Sequence, residues 1–198
     1  FTKGEAYGIP EFIEMLLGKS CYTFRLKRPT PTHLIGVRVK EPGSARDNLI
    51  GADKSMKVLF VCNGNIGRSQ VARAYFNKLS QHDSDSAGIL VDEGMVKLDL
   101  SSRKLRDVPS QRSVRYIRKE FGVDIAERER RQLTPEMVDE AELVIVIAAK
   151  DRWPDYLHEG GKVVFWDILE PYGRDDDFAY DLFRQVQHRV EQLVQEMG

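Results

Sequence analysis

Cys62 ends the apolar run Val58-Leu59-Phe60-Val61 and is followed by Asn63-Gly64-Asn65-Ile66-Gly67, then Arg68 and Ser69. Each of these residue types suits the binding of a small anion and attack upon it. Gly and Asn accept positive φ, which lets successive backbone N–H groups turn toward one centre. An arginine closing such a loop presents a planar fork that grips two oxygens of a phosphate. A helix starting at Ser69 would point its positive end at the same place. A cysteine held in that field is favoured as the thiolate, the nucleophilic form, and Ser69 can donate a hydrogen bond to it. A thiolate beneath a bound phosphate is set for in-line attack on phosphorus and a phosphocysteine intermediate. A buried structural cysteine before a Gly-rich turn would need neither the arginine nor the serine at this spacing.

That chemistry requires a strand to deliver Cys62 and a helix to leave from Ser69, and both are legible. Lys57 to Val61 reads as a parallel strand buried on both faces. Ser69 to Leu79 places Val71, Ala72, Tyr75, Phe76 and Leu79 on one helical stripe. Further on, Ser110 is expected to cap a helix carrying Val114, Ile117 and Phe121 and ended by Gly122. Thr134-Pro135 reads as an N-cap and first helical residue. Leu143 to Ala148 and Val163 to Trp166 read as buried strands. Asp175 to Asp177 precede a final helix with Phe178, Leu182, Phe183, Val186, Val190, Leu193 and Val194 inward. Strands alternating with helices specify an α/β fold, an open parallel sheet that binds ligands beyond the carboxyl ends of its strands.

The 198 residues are 41% apolar and 31% charged with net charge −1, so no bulk attraction to nucleic acid or an anionic membrane is implied. Two cysteines, Cys21 and Cys62, and four scattered histidines give no metal-ligand spacing, and neither a metal nor a cofactor is expected. No stretch reaches the roughly 20 apolar residues of a membrane span, and no signal peptide is visible. The expected setting is the reducing cytoplasm, although a chain that opens at Phe1 leaves a preceding segment open. The pattern changes near Met56. Residues 1–55 read as an extension of unknown role: a short helix over Ile9 to Leu17, strand-like Cys21 to Leu26 and Leu34 to Val39, then a linker over Glu41 to Ser55. Residues 56–198 carry the regular α/β pattern.

Cys62 to Ser69 resembles the active-site loop of the low-molecular-weight protein tyrosine phosphatases, whose fold is shared by thioredoxin-coupled arsenate reductases. The resemblance continues through Ser86-Ala87-Gly88, Gly122-Val123-Asp124-Ile125 and Trp166-Asp167-Ile168-Leu169-Glu170-Pro171-Tyr172-Gly173. It implies a four-stranded parallel sheet flanked by helices. It further implies Cys62 as nucleophile, Arg68 as phosphate ligand, Asn65 and Ser86 as supports of the loop, and Ser69 as a donor to the thiolate. The family's general acid is an aspartate before Pro-Tyr, where this chain has Glu170. Asp167, Asp175 and Asp176 are the alternatives. Tyr172 would line the mouth.

Ile66 resembles the tyrosine-directed members, whereas arginine-phosphate-directed ones carry threonine. Gly67 stands where many members have a second cysteine. Ser69-Gln70 resembles the arsenate reductases, but no cysteine follows Cys62 to relay electrons. Glu127 would take the place of a histidine that supports the loop asparagine. The segment Ile89 to Val108, with Lys97, Arg103, Lys104 and Arg106, would lie at the rim, most simply as a solvated loop. The function implied is hydrolysis of a phosphotyrosine-containing protein or small aryl phosphate, with inorganic phosphate, sulfate or vanadate competing. Thiol-dependent arsenate reduction and phospho-anion binding with little turnover are the alternatives.

Overall fold

The computed structural model describes residues 55–197. The helix, strands and linker expected upstream, and Cys21 with them, lie outside the described residues. Strands β1 (Lys57–Cys62), β2 (Asp83–Gly88), β3 (Leu143–Val146) and β4 (Val163–Phe165) form one parallel sheet in the order β2-β1-β3-β4. The helices are α1 (Arg68–Leu79), α2 (Val91–Lys97), α3 (Arg112–Phe121), α4 (Pro135–Glu140) and α5 (Asp176–Met197). Among the described residues no helix is long and apolar enough to cross a membrane.

β1 runs through the middle of the sheet and is buried from Val58 onward. Its alternation sends Val58, Phe60 and Cys62 to one face, where they join Val71, Phe76, Ile117, Trp166, Phe183 and Val186. Leu59 and Val61 face the other side, with Ile89, Leu133, Val138, Val144 and Leu157. Two apolar layers therefore clamp the strand that ends in Cys62. The chain leaves β1 toward β2 and later crosses to β3 on the other side, so the loop after β1 opens at the point where strand order reverses.

β1, β3 and β4 follow the apolar runs that announce them. β2 is Asp83-Ser84-Asp85-Ser86-Ala87-Gly88 and buries only its last three residues, as an edge strand can. α3 ends as expected, with Gly122 left-handed at φ 74°. It starts later than expected: Gln111, not Ser110, holds the N-cap position, and its amide donates to the carbonyls of Leu105 (2.9 Å) and Val108 (2.6 Å). That side chain closes the preceding turn and displaces the start of the helix past serine. Thr134 caps α4 by accepting the Met137 N–H at 3.4 Å.

Phe183 of α5 is 1% exposed and sits edge-on to Tyr116, with ring centroids 5.2 Å apart. A Cβ added to Gly67 would lie 3.2 Å from the same ring, so Phe183 backs the entry to α1. Phe183→Ala is expected to cost about 3–5 kcal/mol in a urea titration. It is also expected to weaken vanadate binding, because the turn at Gly67 loses its wall.

Candidate active site

The loop from Cys62 to Arg68 is bound from outside through its carbonyls. Ile89 N–H donates to Cys62 O (3.0 Å), Leu90 N–H to Asn63 O (2.8 Å), and Val71 N–H to Gly67 O (3.0 Å). Gln70 Nε2 donates to Asn65 O at 3.2 Å, and Ser113 Oγ of α3 donates to Ile66 O. In a trans peptide the C=O and the next N–H point in opposite directions. Five carbonyls held outward therefore leave the N–H groups of Asn63, Gly64, Ile66, Gly67 and Arg68 turned to the other side. That is the arrangement an anion nest requires, and the start of α1, with no acidic residue in its first turn, would add to its positive field.

Positive φ in this loop falls on Asn65 alone, at 51°; neither Gly64 nor Gly67 uses it. The glycines serve close packing instead. The tightest is outside the loop: a Cβ on Gly88, at the end of β2, would come 2.6 Å from Asn65 N and 2.7 Å from Asn63 O.

Asn65 is fully buried, and its strained conformation is held at both ends of the amide. Arg131 N–H donates to Oδ1 at 2.9 Å, which fixes the amide's orientation, and Nδ2 donates to Ser69 Oγ at 3.0 Å. Ser69 Oγ lies 3.0 Å from Cys62 Sγ. This hydroxyl accepts from Asn65 and keeps its own hydrogen free to be given to sulfur. One chain of hydrogen bonds thus runs from Arg131 N–H through Asn65 and Ser69 to Cys62.

Arg68 is 3% exposed. Its Nη1 donates to Ile168 O at 2.9 Å, and its Nη2 pairs with Glu170. The same Glu170 oxygen accepts from Asn63 Nδ2 at 2.7 Å. The loop after β4 therefore brings its glutamate onto the arginine and an asparagine of the loop after β1. Asp175 and Asp176 are engaged elsewhere. Asp175 accepts from Phe178 N–H at the start of α5 (2.8 Å), and Asp176 pairs with Arg112 and Arg115 (both 2.7 Å). Asp167 is exposed.

Other expected site residues fall as follows. Tyr172 is 78% exposed, two residues beyond Glu170. Ser86 is buried, and its Oγ has no hydrogen-bond partner among the described residues, so no contact ties it to Asn65. Glu127 does not support Asn65. It pairs with Lys104 (2.9 Å) and Arg106 at the surface, and the Lys104 hydrogen bond holds its carboxyl below the usual carboxylate range. The support comes from the Arg131 main chain, with Gln70 and Ser113 holding neighbouring carbonyls. The rim segment is not a plain loop. It contains α2 and a 3-10 turn, Leu105–Asp107, and Arg103, Lys104 and Arg106 are ion-paired with Asp92 and Glu127.

Known structures share this fold. A low molecular weight protein tyrosine phosphatase from T. tengcongensis aligns at 24% identity and TM-score 0.56, covering 72% of this chain and 99% of that one. Wzb of Vibrio vulnificus, solved in complex with benzylphosphonate, aligns at 20% identity and TM-score 0.55, covering 71% and 98%. An arsenate reductase from Archaeoglobus fulgidus aligns at 23% identity and TM-score 0.52, covering 70% and 98%. At these identities the likeness is one of fold. No curated protein matches the chain in sequence. The family model for low molecular weight phosphotyrosine protein phosphatase, by contrast, matches residues 57–198, and the chain belongs to that family.

Proposed function

We propose that the protein hydrolyses aryl phosphate monoesters, the phosphotyrosine of proteins among them, through a phosphocysteine on Cys62. The observation that carries this reading is the meeting of Arg68, Asn63 and Glu170 at the rim of a nest whose floor is Cys62. The substrate phosphate lies on the loop N–H groups and takes Arg68 in place of the Glu170 carboxylate. Cys62 Sγ attacks phosphorus, an S–P bond forms, and the P–O bond to the phenol breaks. Glu170, released from Arg68 and protonated from solvent, gives its proton to the departing phenolate. It then takes a proton from water as water attacks phosphorus, the S–P bond breaks, and inorganic phosphate leaves with the Cys62 thiolate restored.

The nest and guanidinium supply the positive charge that the equatorial oxygens need, so the scheme requires no metal. Ile66 and the exposed Tyr172 favour an aryl ester, and the benzylphosphonate held by Wzb likewise joins an aromatic ring to a phosphoryl-like group, through a methylene in place of the ester oxygen. A thiolate nucleophile needs a reducing compartment, for which we propose the cytoplasm.

The test is turnover of p-nitrophenyl phosphate between about pH 5 and 7, with EDTA present. Turnover inhibited competitively by vanadate, phosphate and sulfate is the expected result. Complete loss on adding EDTA would overturn the scheme. So would intact phosphate binding with no turnover, and arsenate reduction with glutathione would then assign the nest to the other chemistry.

A further inference from the structure

Two consecutive residues on the first turn of α3 hold two different loops. Ser113 is 1% exposed and donates to Ile66 O of the loop after β1. Arg112 reaches the other way. Its Nη1 donates to Pro171 O at 3.3 Å and its Nη2 to Arg174 O, while its Nε donates to Asp176 Oδ1 at 2.7 Å. Pro171 and Arg174 are the ends of a tight turn, closed by Arg174 N–H on Pro171 O at 3.2 Å and passing through Gly173 at φ 72°. One guanidinium therefore holds both ends of the turn that follows Glu170.

Successive side chains on a helix diverge by about 100°, so neighbours in sequence can serve separate loops. Only arginine carries a rigid fork able to meet three acceptors at once; lysine has a single point charge. Asp176, which Arg115 also contacts at 2.7 Å, anchors the fork to the start of α5. Hydrogen bonds from Arg112 and then Arg115 hold the Asp176 carboxyl below its ordinary range, so the anchor stays charged.

We propose that Arg112 is a positioning residue for the reaction, and that with Ser113 it sets the distance between Glu170 and Cys62 by tying both loops to one helical turn. This rests on the phosphatase reading above. It also bears on the glutamate: a side chain one methylene longer than aspartate needs its backbone held at a defined distance, since a displacement of about 1 Å can cost on the order of a hundredfold in rate.

The experiment compares the native chain with Arg112→Gln, Arg112→Lys and Ser113→Ala on two substrates. p-Nitrophenyl phosphate releases a phenolate that needs little protonation, whereas phenyl phosphate releases one that depends on the acid. Arg112 is one quarter exposed and lines an open cleft with Pro109, Ser110, Arg115 and Asp176, so its replacement leaves the core packed. Arg112→Gln is expected to lower kcat/KM, which reports formation of the phosphocysteine and not its hydrolysis, at least about tenfold more for phenyl phosphate than for p-nitrophenyl phosphate. Vanadate affinity should stay within about twofold, because the nest is untouched. Arg112→Lys is expected to recover little. Ser113→Ala should show the opposite signature, with both substrates and vanadate weakened together.

Equal losses of kcat/KM on both substrates in Arg112→Gln, or no loss, would overturn the proposal while leaving the phosphatase reading intact. Absence of turnover on both substrates in the native chain would instead sink that reading, and the proposal with it.

Discussion

Turnover of p-nitrophenyl phosphate is expected to fall by about 10⁴-fold or more when Cys62 is replaced by serine. Cys62 is 3% exposed and its sulfur lies 3.0 Å from the Ser69 hydroxyl, in a field built by the start of α1 and by Arg68. Serine cannot take over the attack, because an alcohol gives up its proton far less readily than a thiol. The substitution is nearly isosteric and sits at the end of a central strand, so the fold should persist and calorimetry should still detect phosphate binding. The native enzyme, quenched in mid-reaction, should carry a phosphorus–sulfur bond visible by ³¹P NMR that Cys62→Ser lacks. Residual activity within tenfold of native would remove Cys62 from the role of nucleophile.

Gly88→Ala should damage the same nest from behind without touching any group that meets substrate. Its Cβ would lie 2.6 Å from Asn65 N, 2.7 Å from Asn63 O and 2.8 Å from Val91 Cγ2. Two of those atoms are backbone and cannot swing aside. Gly88 is also held through both its backbone groups by one segment, donating to Arg131 O and accepting from Leu133 N–H, each at 2.8 Å, so the end of β2 has little room to retreat. The loop must dilate. The expected result is a loss of about 100-fold in vanadate affinity and a destabilisation of about 1–3 kcal/mol in urea. Gly94→Ala is the matched control. Nothing lies within 4 Å of its added Cβ on α2, and alanine there should be neutral or stabilising by about 0.5–1 kcal/mol. Vanadate binding by Gly88→Ala within twofold of native would mean that the nest tolerates expansion.

Most of the fold was legible because burial on both faces leaves continuous apolar runs. Val58 to Val61 and Leu143 to Val146 are fully apolar and buried, the mark of inner strands. β2 escaped for the converse reason. Its first residues pair through the backbone at the edge of the sheet, so selection there acts on neither hydrophobicity nor β-propensity. Cys62, Arg68 and Ser69 were readable since their chemistry is in their side chains and their spacing is local. The partner of Asn65 was not. A main-chain N–H 66 positions away leaves no mark in residue type, and Glu127 looked suitable only because it carries a polar side chain. The placement of positive φ on Asn65 rather than on the glycines depends on the Arg131 and Ser69 contacts, which are equally long-range or invisible before folding.

The donor at the head of the chain that ends on Cys62 is a peptide group. The Arg131 side chain binds Asp85 on β2, but the bond to Asn65 comes from the backbone. Mutational drift at position 131 can therefore change charge, size and surface pairing while the donor survives every replacement except proline, which alone lacks the N–H. The reactivity of the sulfur is in this respect insulated from the genetic variation of the residue it depends on. Sequence comparison at that position would show tolerance where the mechanism has none.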